Sequence, residues 1–492
     1  MNDDNYESYD DDGPPPEIEE QLFQKQKVQS DQRVPWIAFA EFRTDNELAT
    51  RFIDLHEAKL RYVIEWKKWL IWDGKRWQVD SGNTILLRLA RYFSNDLWDS
   101  FGYLARVMDR DELSICRTFC KSANKAGGIE AFLNLARADE RIAVLVADLN
   151  KFPHILNLQN GTFDFSLGEF RPHSQDDLLT QIANVEFNEV ATANRWLDAI
   201  GLIFGNDAEL IRYVQQLLGY SLTGDTGEHI LPIAYGSGCN GKSFIWNVVL
   251  SLIGEYGGLA NDSLLMGVHN AHPTEKAFLY QKRFVPISEP EQAARLRESR
   301  VKELTGDGVI TARRMQEDFW SFARTHTFWL STNHLPTIQG NDDGIWRRVK
   351  LIPFAVDLRK VTTPIPDLDK ILVEAEGPGI LNWLIAGYLD YKQHGFVEPE
   401  CVKLATGDYR NQEDELASFE TDCCVIGPQY MTTSKKLFDA YVSWGGKKNR
   451  TVFGKSMAER FGKTKPVSGE FRKQTIYDGI ALASNEPDDD RF

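Results

Sequence analysis

The segment AYGSGCNGKSFIW, residues 234–246, places Gly236 four residues before Gly241-Lys242-Ser243. Glycines at that spacing let backbone N–H groups curl round a phosphate, the lysine reaches the terminal phosphates, and the hydroxyl after it can ligate magnesium. The candidate loop is Gly236, Ser237, Gly238, Cys239, Asn240, Gly241, Lys242, Ser243 and Phe244. Binding a phosphate is not splitting it, which needs a carboxylate to hold the metal or polarise water. RFVPISEPE offers Glu289 and Glu291 after an apolar run, with Glu289 lying 47 residues beyond the lysine. FWLSTN ends an apolar run at Asn333, whose amide can orient an attacking water. IWRRVKLIPF carries Arg347 and Arg348 between an NDDG loop and another apolar run. One of these arginines could reach the phosphate of a neighbouring subunit, an arrangement worth about 10³–10⁵ in rate. An ion pair with Asp342 or Asp343 is expected of the other, Arg348.

Such groups converge only if the elements between them are the right ones. The apolar run from Ile230 to Tyr235 reads as a strand ending at the loop, and FIWNVVLSLIG reads as the helix that follows it. From about 225 to 355 strands and helices alternate, which predicts a parallel sheet wound by helices. Residues 191–222 read as two helices, the second capped at Asn206 and ending at Thr223-Gly224, and residues 376–420 read as helical. The C-terminal order of SKKLFDAYVSW, a Gly445-Gly446 turn, TVFGKSMAERFG and RKQTIYDGIAL predicts a winged helix.

Towards the N-terminus, RYVIEWKKWLIWDGKRWQVD predicts a hairpin at Asp73-Gly74, and HILNLQNGTFDFSLGEFRPH predicts turns at Asn160-Gly161 and Leu167-Gly168. With the helical stretch 83–150 between them, this is a mixed α/β domain without a catalytic cluster. Trp66, Trp69, Trp72 and Trp77 are expected in its core rather than stacked on bases. The division is therefore 1–32 acidic and disordered, 38–190 mixed α/β, 191–224 helical collar, 225–375 nucleotide-binding core, 376–425 helical linker and 426–485 winged helix.

Charge is unevenly spread. Of the net −16, residues 1–20 hold −9, with five Asp, four Glu and no Lys or Arg. Residues 431–480 carry eleven Lys and Arg against four Asp and Glu, a local +7. An acidic arm and a basic C-terminal domain are separate electrostatic objects. The six cysteines form no CxxC pair, which fits reduced thiols, and Cys116 and Cys120 are expected to be buried rather than metal ligands. No apolar run approaches the roughly 20 residues that cross a bilayer, and the N-terminus lacks the basic and apolar regions of a signal peptide. A soluble intracellular protein with no membrane partner is expected.

The ordered set GSGCNGKS, SEPE, KELTGDGVITARRM, LSTN and GIWRR resembles the superfamily 3 helicases, AAA+ motors of small DNA viruses. It is most similar to the phage and plasmid primase-helicase branch that includes the poxvirus primase-helicase, over about residues 45–485. The resemblance implies an AAA+ core with a parallel sheet, a hexameric ring with ATP and Mg²⁺ between subunits, and DNA threaded through the centre, translocated 3′ to 5′. Ser243 and Glu289 would hold the metal, Glu289 would polarise water with Glu291 assisting, Asn333 would sense the γ-phosphate, and Arg347 would act across the interface. Lys302 to Met315 would build the pore-facing strand and hairpin, with Lys302, Arg313 and Arg314 on DNA phosphates. The tip MQEDFW departs from that pattern by carrying Glu317 and Asp318, and Phe319 or Trp320 would either stack on a base instead or be buried. Lys447, Lys448 and Lys455 belong to the basic face that would hold duplex or origin DNA, unless the module docks protein.

A second departure concerns priming. In residues 1–220 the dense carboxylate cluster is Asp10-Asp11-Asp12, beside three prolines, so no primer synthesis is expected and a separate primase or polymerase would serve. The reading is an ATP-dependent replicative DNA helicase of a phage, satellite or plasmid, in the cytoplasm of a bacterial host, acting on single-stranded and forked DNA. The alternatives are a primase-helicase with an unrecognised primase activity, and an origin-binding initiator or loader that uses ATP as an assembly switch.

Overall fold

The computed structural model describes residues 43–104, 106, 108–267, 273–290, 294–306, 308–313, 319–338, 343–465 and 474–483. The acidic segment 1–32, Glu291, Arg314, the hairpin tip 315–318 and Asp342 lie outside the described residues.

The N-terminal α/β unit begins with helix α1 (Asp45–His56), started by Thr44, whose hydroxyl accepts the Glu47 N–H at 3.3 Å. Strands β1 (Leu60–Val63), β2 (Lys68–Trp72) and β3 (Trp77–Val79) form an antiparallel meander. Its β2–β3 turn falls at Asp73-Gly74 as expected. Asp73 Oδ1 accepts the N–H groups of Lys75 and Arg76 at 2.7 Å each, and Gly74 takes φ +99°, where a side chain would strain the backbone. Helices α2 (Thr84–Leu104), α3 (Arg110–Ala123) and α4 (Ala126–Ala136) follow, and β4 (Ala143–Val144) joins β1 in parallel. The core is aromatic and aliphatic, with Phe52 against Phe93 and Phe132. Trp69 and Trp77 are buried in this unit, while Trp66 and Trp72 are half-buried against their neighbours, so none of the four is a free stacking platform. Cys116 and Cys120 are also buried, and burial pushes the Cys120 thiol up to about 11.

A second antiparallel sheet, β5 (Ile155–Leu158), β6 (Gly161–Asp164) and β7 (Glu169–Arg171), leads to helices α5 (Asn194–Ile203) and α6 (Ala208–Tyr220). The cap of α6 is Asp207, whose Oδ1 accepts the N–H groups of Glu209 and Leu210, and not Asn206, which sits in the left-handed region at φ +58°. A carboxylate at a helix start adds charge complementarity that an amide lacks.

The central sheet is wholly parallel. Its strands are β8 (Leu231–Tyr235), β9 (Phe284–Ile287), β12 (Thr327–Thr332) and β13 (Val349–Pro353), in the order β13-β8-β12-β9. All but a few of their residues are buried, as expected for strands covered on both faces. Between β8 and β9 lie helix α7 (Lys242–Ile253) and the short α8 (Pro273–Ala277). Between β9 and β12 lie helix α9 (Glu298–Gly306) and a hairpin, β10 (Val309–Arg313) with β11 (Phe319–Ala323). A short α10 (Asp343–Trp346) precedes β13.

The long helix α11 (Leu368–His394) closes back onto α6. Gly219 and Gly387 let the two approach, since a Cβ on Gly387 would stand 2.2 Å from the Gln215 carbonyl, and Arg212 pairs with Asp390 at 2.7 Å. After α12 (Glu400–Glu413) the C-terminal unit comprises α13 (Glu415–Cys423), β14 (Cys424–Thr433), α14 (Ser434–Trp444), α15 (Arg450–Arg460), β15 (Gly462–Thr464) and β16 (Ile476–Leu482). Its antiparallel sheet runs β14-β16-β15, and Phe419 of α13 shares its core with Leu437, Tyr441, Phe453 and Tyr477. Strand β14 has no counterpart in the sequence reading. Gly427 and Pro428 interrupt its pattern, and the pairing skips between Ile426 and Met431. No helix among the described residues is long and apolar enough to cross a membrane.

Candidate functional site: two ends of a parallel sheet

Because the four strands are parallel, their last residues, Tyr235, Ile287, Thr332 and Pro353, share one end of the sheet. The glycine loop leaves that end. Gly236 cannot carry a side chain, because a Cβ would lie 2.0 Å from Asn240 Nδ2 and 2.3 Å from the Phe354 carbonyl. Gly241 opens α7 at φ +88° against Ile203 of α5, and no side chain caps the helix start. The first N–H groups of α7 are thus left to meet an anion. Asn240 anchors the loop by donating to the Phe354 carbonyl at 3.0 Å.

Lys242 is 7% exposed, and its ammonium donates to the Gly236 carbonyl at 2.8 Å, to Asn240 Oδ1 at 3.1 Å and to Asn333 Oδ1 at 3.0 Å. The Asn333 N–H in turn donates to Glu289 Oε1 at 2.9 Å. Lysine at the start of α7, asparagine just after β12 and glutamate just after β9 thus form one hydrogen-bonded row, because β12 lies between β8 and β9. Burial pushes the lysine below its usual range, and the Glu289 carboxylate pulls it the other way. Ser243 and Glu289 are exposed, and Phe244 is half-buried on Trp196. An uncapped helix start, a cradle with no space for a side chain, a buried ammonium, a free hydroxyl and a carboxylate fit a nucleotide triphosphate with Mg²⁺.

The arginines are at the other end. Val349 pairs with Leu231 and Pro353 with Tyr235, and the Leu231 N–H donates to the Arg348 carbonyl at 2.7 Å. Five residues at about 3.3 Å each put roughly 16 Å of strand between the arginines and the loop of the same chain. Arg348 is buried and donates to Thr305 Oγ1 at 3.1 Å and to the Gly344 carbonyl. Asp343 pairs with Arg410 at 2.7 Å, and Asp342, the other partner expected of Arg348, lies outside the described residues. Arg347 is exposed, and it lines a cleft of about 530 Å³ with His229, Ser299, Lys302, Glu303, Gly306, Gly344 and Arg348. His229, Ser299 and Glu303 carried no local signal, being up to 118 residues from Arg347 in the chain.

Lys302 thus sits on α9 beside Arg347, whereas Arg313 is on the hairpin. Val309, Thr311, Arg313, Phe319, Ser321 and Ala323 make the exposed face of that hairpin, with the Arg313 guanidinium 5.7 Å from the Phe319 ring. Trp320 and Phe322 face inward on Tyr280, with ring centroids 4.7 and 5.4 Å away. Of the two aromatics proposed to stack, Phe319 is therefore the accessible one. In the C-terminal unit Lys447 and Lys455 are exposed, and Lys448 is half-buried beside Glu415 at 3.7 Å.

Two family models match the chain, one described as D5 N terminal like over residues 49–205 and one as a family of unknown function over residues 234–348. The mimivirus protein "Putative helicase L207/L206" of Acanthamoeba polyphaga mimivirus is 25% identical over 299 residues, which cover 56% of this chain and 31% of that one. "Putative primase C962R" of African swine fever virus (isolate Tick/Malawi/Lil 20-1/1983) is 26% identical over 331 residues, 61% of this chain and 34% of that one. The aligned region is thus about a third of the length of these relatives. A solved structure of the NrS-1 C terminal region covers 85% of this chain and 96% of its own, at a TM-score of 0.45 and 11% identity, too distant to argue from. With a D5-type region before the glycine loop and helicase- and primase-named relatives across it, the chain is related to the primase-helicase family.

Proposed function

We propose that this chain is an ATP-driven replicative DNA helicase with a superfamily 3 AAA+ core and a C-terminal winged helix, working as a hexameric ring 3′ to 5′ on single-stranded and forked DNA. The observation that carries the reading is the Lys242–Asn333–Glu289 row, which joins the phosphate loop to a water-orienting amide and a carboxylate. On binding ATP, Lys242 leaves Asn240 and Asn333 for the terminal phosphates, which frees the Asn333 amide to report the γ-phosphate. Mg²⁺, when bound by Ser243 and Glu289, screens the phosphate charge. Glu289 takes a proton from the water that attacks the γ-phosphorus, and the bond to the β-phosphate oxygen breaks to leave ADP and phosphate. Glu291 assists, and Arg347 acts on the nucleotide of a neighbouring copy, since its own is a strand length away. The exposed hairpin face with Arg313 and Phe319 grips the strand, aided by Arg314. The exposed Lys447 and Lys455, with Lys448, hold duplex.

The test is ATP turnover with and without single-stranded DNA, beside fork unwinding, for wild type and Lys242→Ala. DNA-stimulated turnover and unwinding by wild type alone are expected. If Glu289→Gln supports replication as wild type does, ATP is an assembly switch and the chain is an initiator or loader. A second reading, primase-helicase, is favoured by the relative named as a primase. Incorporation of labelled nucleotide on a single-stranded template by the chain alone would establish it, and its absence leaves priming to a separate polypeptide.

A further inference from the structure

We infer that the last turn of α12 is a joint through which nucleotide at the phosphate loop sets how the basic C-terminal unit meets DNA, with Glu413 as its positioning residue. The inference rests on the nucleotide reading of the phosphate loop. Three parts of the molecule meet at this turn, and the first is the segment that leaves β12 through Asn333. Five residues beyond Asn333, the Ile338 N–H donates to Glu413 Oε2 at 2.7 Å, and the buried Tyr409 hydroxyl donates to the Pro336 carbonyl. Between those two contacts, the Thr337 N–H donates to the Ala294 carbonyl and the Thr337 carbonyl accepts the Leu296 N–H, at 3.0 Å each. The chains beyond Glu289 and beyond Asn333 are thus tied to each other, and the tie ends on one glutamate.

The second part is α10, which leads into Arg347. Arg410 pairs with Asp343 at 2.7 Å, and the Tyr409 ring meets Trp346 edge-on with centroids 5.2 Å apart. The third is the C-terminal unit. Directly after Glu413, Asp414 pairs with Arg460 at the end of α15, and Glu415 accepts the Lys447 N–H at 2.6 Å and faces the Lys448 ammonium at 3.7 Å. Burial pushes the Glu413 carboxyl up, while the Ile338 N–H and the Lys448 charge pull it back. Acids at consecutive positions 413, 414 and 415 therefore face opposite ways in function, one holding the segment after Asn333 and two holding the basic unit. A displacement of Ile338 is passed within one residue to the contacts of Arg460 and Lys447. Coupling needs a group with two arrangements, joined to its target by packed side chains and hydrogen bonds. Asn333 is that group, on Lys242 without nucleotide and on the γ-phosphate with it.

The experiment uses the full chain and measures its affinity for a short fluorescent DNA duplex with and without a non-hydrolysable ATP analogue. In the wild type the analogue should change duplex affinity at least about fivefold, the lower end of ordinary coupling between sites, and the duplex should change affinity for the analogue by the same factor. Glu413→Ala should bring that ratio close to one while binding the analogue, without DNA, as the wild type does. Glu413→Gln, whose amide oxygen still accepts the Ile338 N–H, should keep the ratio, which separates positioning from loss of charge. Glu415→Ala breaks the joint on its far side with Ile338 still held, so it should also flatten the ratio, and it decides the matter if Glu413→Ala does not fold. Duplex affinity that the bound analogue leaves unchanged in the wild type, or no duplex binding at all, overturns the inference. So does the full wild-type ratio in Glu413→Ala. If Lys242→Ala binds the analogue as tightly as the wild type, the phosphate-loop reading itself falls and the joint with it.

Discussion

The two ends of the central sheet differ in how far one chain completes them. At the loop end, Lys242, Asn240, Asn333 and Glu289 satisfy one another within a single copy. At the opposite end Arg348 is buried and held, but Arg347 projects into an open cleft. One end is a finished cradle, and the other is half of a site. A parallel sheet makes this division natural, because loops after the strands and loops before them lie a strand length apart, and chemistry that needs both must draw the second from another molecule.

The largest expected effects separate the ends by what is lost. Lys242→Ala should lose nucleotide binding and turnover together, since removing the ammonium strips the cradle of its central donor. Arg347→Ala should keep nucleotide binding and lose about 10³-fold or more in turnover, the range for an arginine supplied from outside. Fluorescent-nucleotide titration beside steady-state turnover checks both. If Arg347→Ala also loses binding at a single-copy concentration, the half-site view of the far end is broken.

How much of this was legible in the sequence follows from distance along the chain. The loop, its strand and its helix are contiguous, so residues 230–253 declare themselves through an apolar run, glycines and a second apolar run. Glu289 and Asn333 were readable for the same reason, each being a polar group within two residues of the end of a buried strand. Their meeting was not, because it depends on β12 lying between β8 and β9, and strand order leaves no trace in local pattern. The Arg347 cleft was hidden likewise, joining side chains from before β8, from α9 and from before β13. Strand β14 escaped because Gly427 and Pro428 break alternation where the pairing skips. The cap of α6 was off by one residue, as Asn206 and Asp207 are both good caps and only the backbone angle decides.

Next in size is a pH effect at the far end. His326, just before β12, is buried, and burial, with Arg324 beside it, pushes its pKa from 6.5 down to about 3. Below pH 6.5 the unfolded chain takes up a proton that the fold refuses. The contribution is therefore fully present above 6.5 and is lost as pH falls towards 3, at up to about 1.4 kcal/mol per pH unit. His56 in α1, pushed to about 4 mainly by burial, adds its own share, so the measurement is the difference between His326→Leu and wild type in chemical denaturation from pH 7 to 4. The variant should lose less stability on acidification. An identical slope would mean that water reaches this end of the sheet, and that the cleft floor is looser than its packing implies.

Arg348 offers a smaller test that also decides between the adjacent arginines. Its removal takes a donor from both Thr305 Oγ1 and the Gly344 carbonyl, which should cost about 2 kcal/mol. Arg348→Ala should therefore lower the denaturation midpoint with an unchanged slope. Should it keep its stability and lose only turnover, Arg348 and not Arg347 would be the arginine that serves the neighbour.

The smallest effect separates the cleft from the hairpin. A residue that neutralises one phosphate of a single strand contributes about 0.7 to the log–log dependence of affinity on salt. Arg313, exposed beside Phe319, should show this, so Arg313→Gln should shallow the dependence by about 0.7 in a titration from low to moderate salt. Arg347→Ala should leave the slope as it is, because a group facing a neighbour's nucleotide releases no counterions from DNA. Lys302→Gln then follows whichever class it belongs to. A slope like that of Arg347→Ala places it with the nucleotide, and a slope like that of Arg313→Gln places it with the strand, which would leave Arg347 to complete the neighbour's site without a lysine.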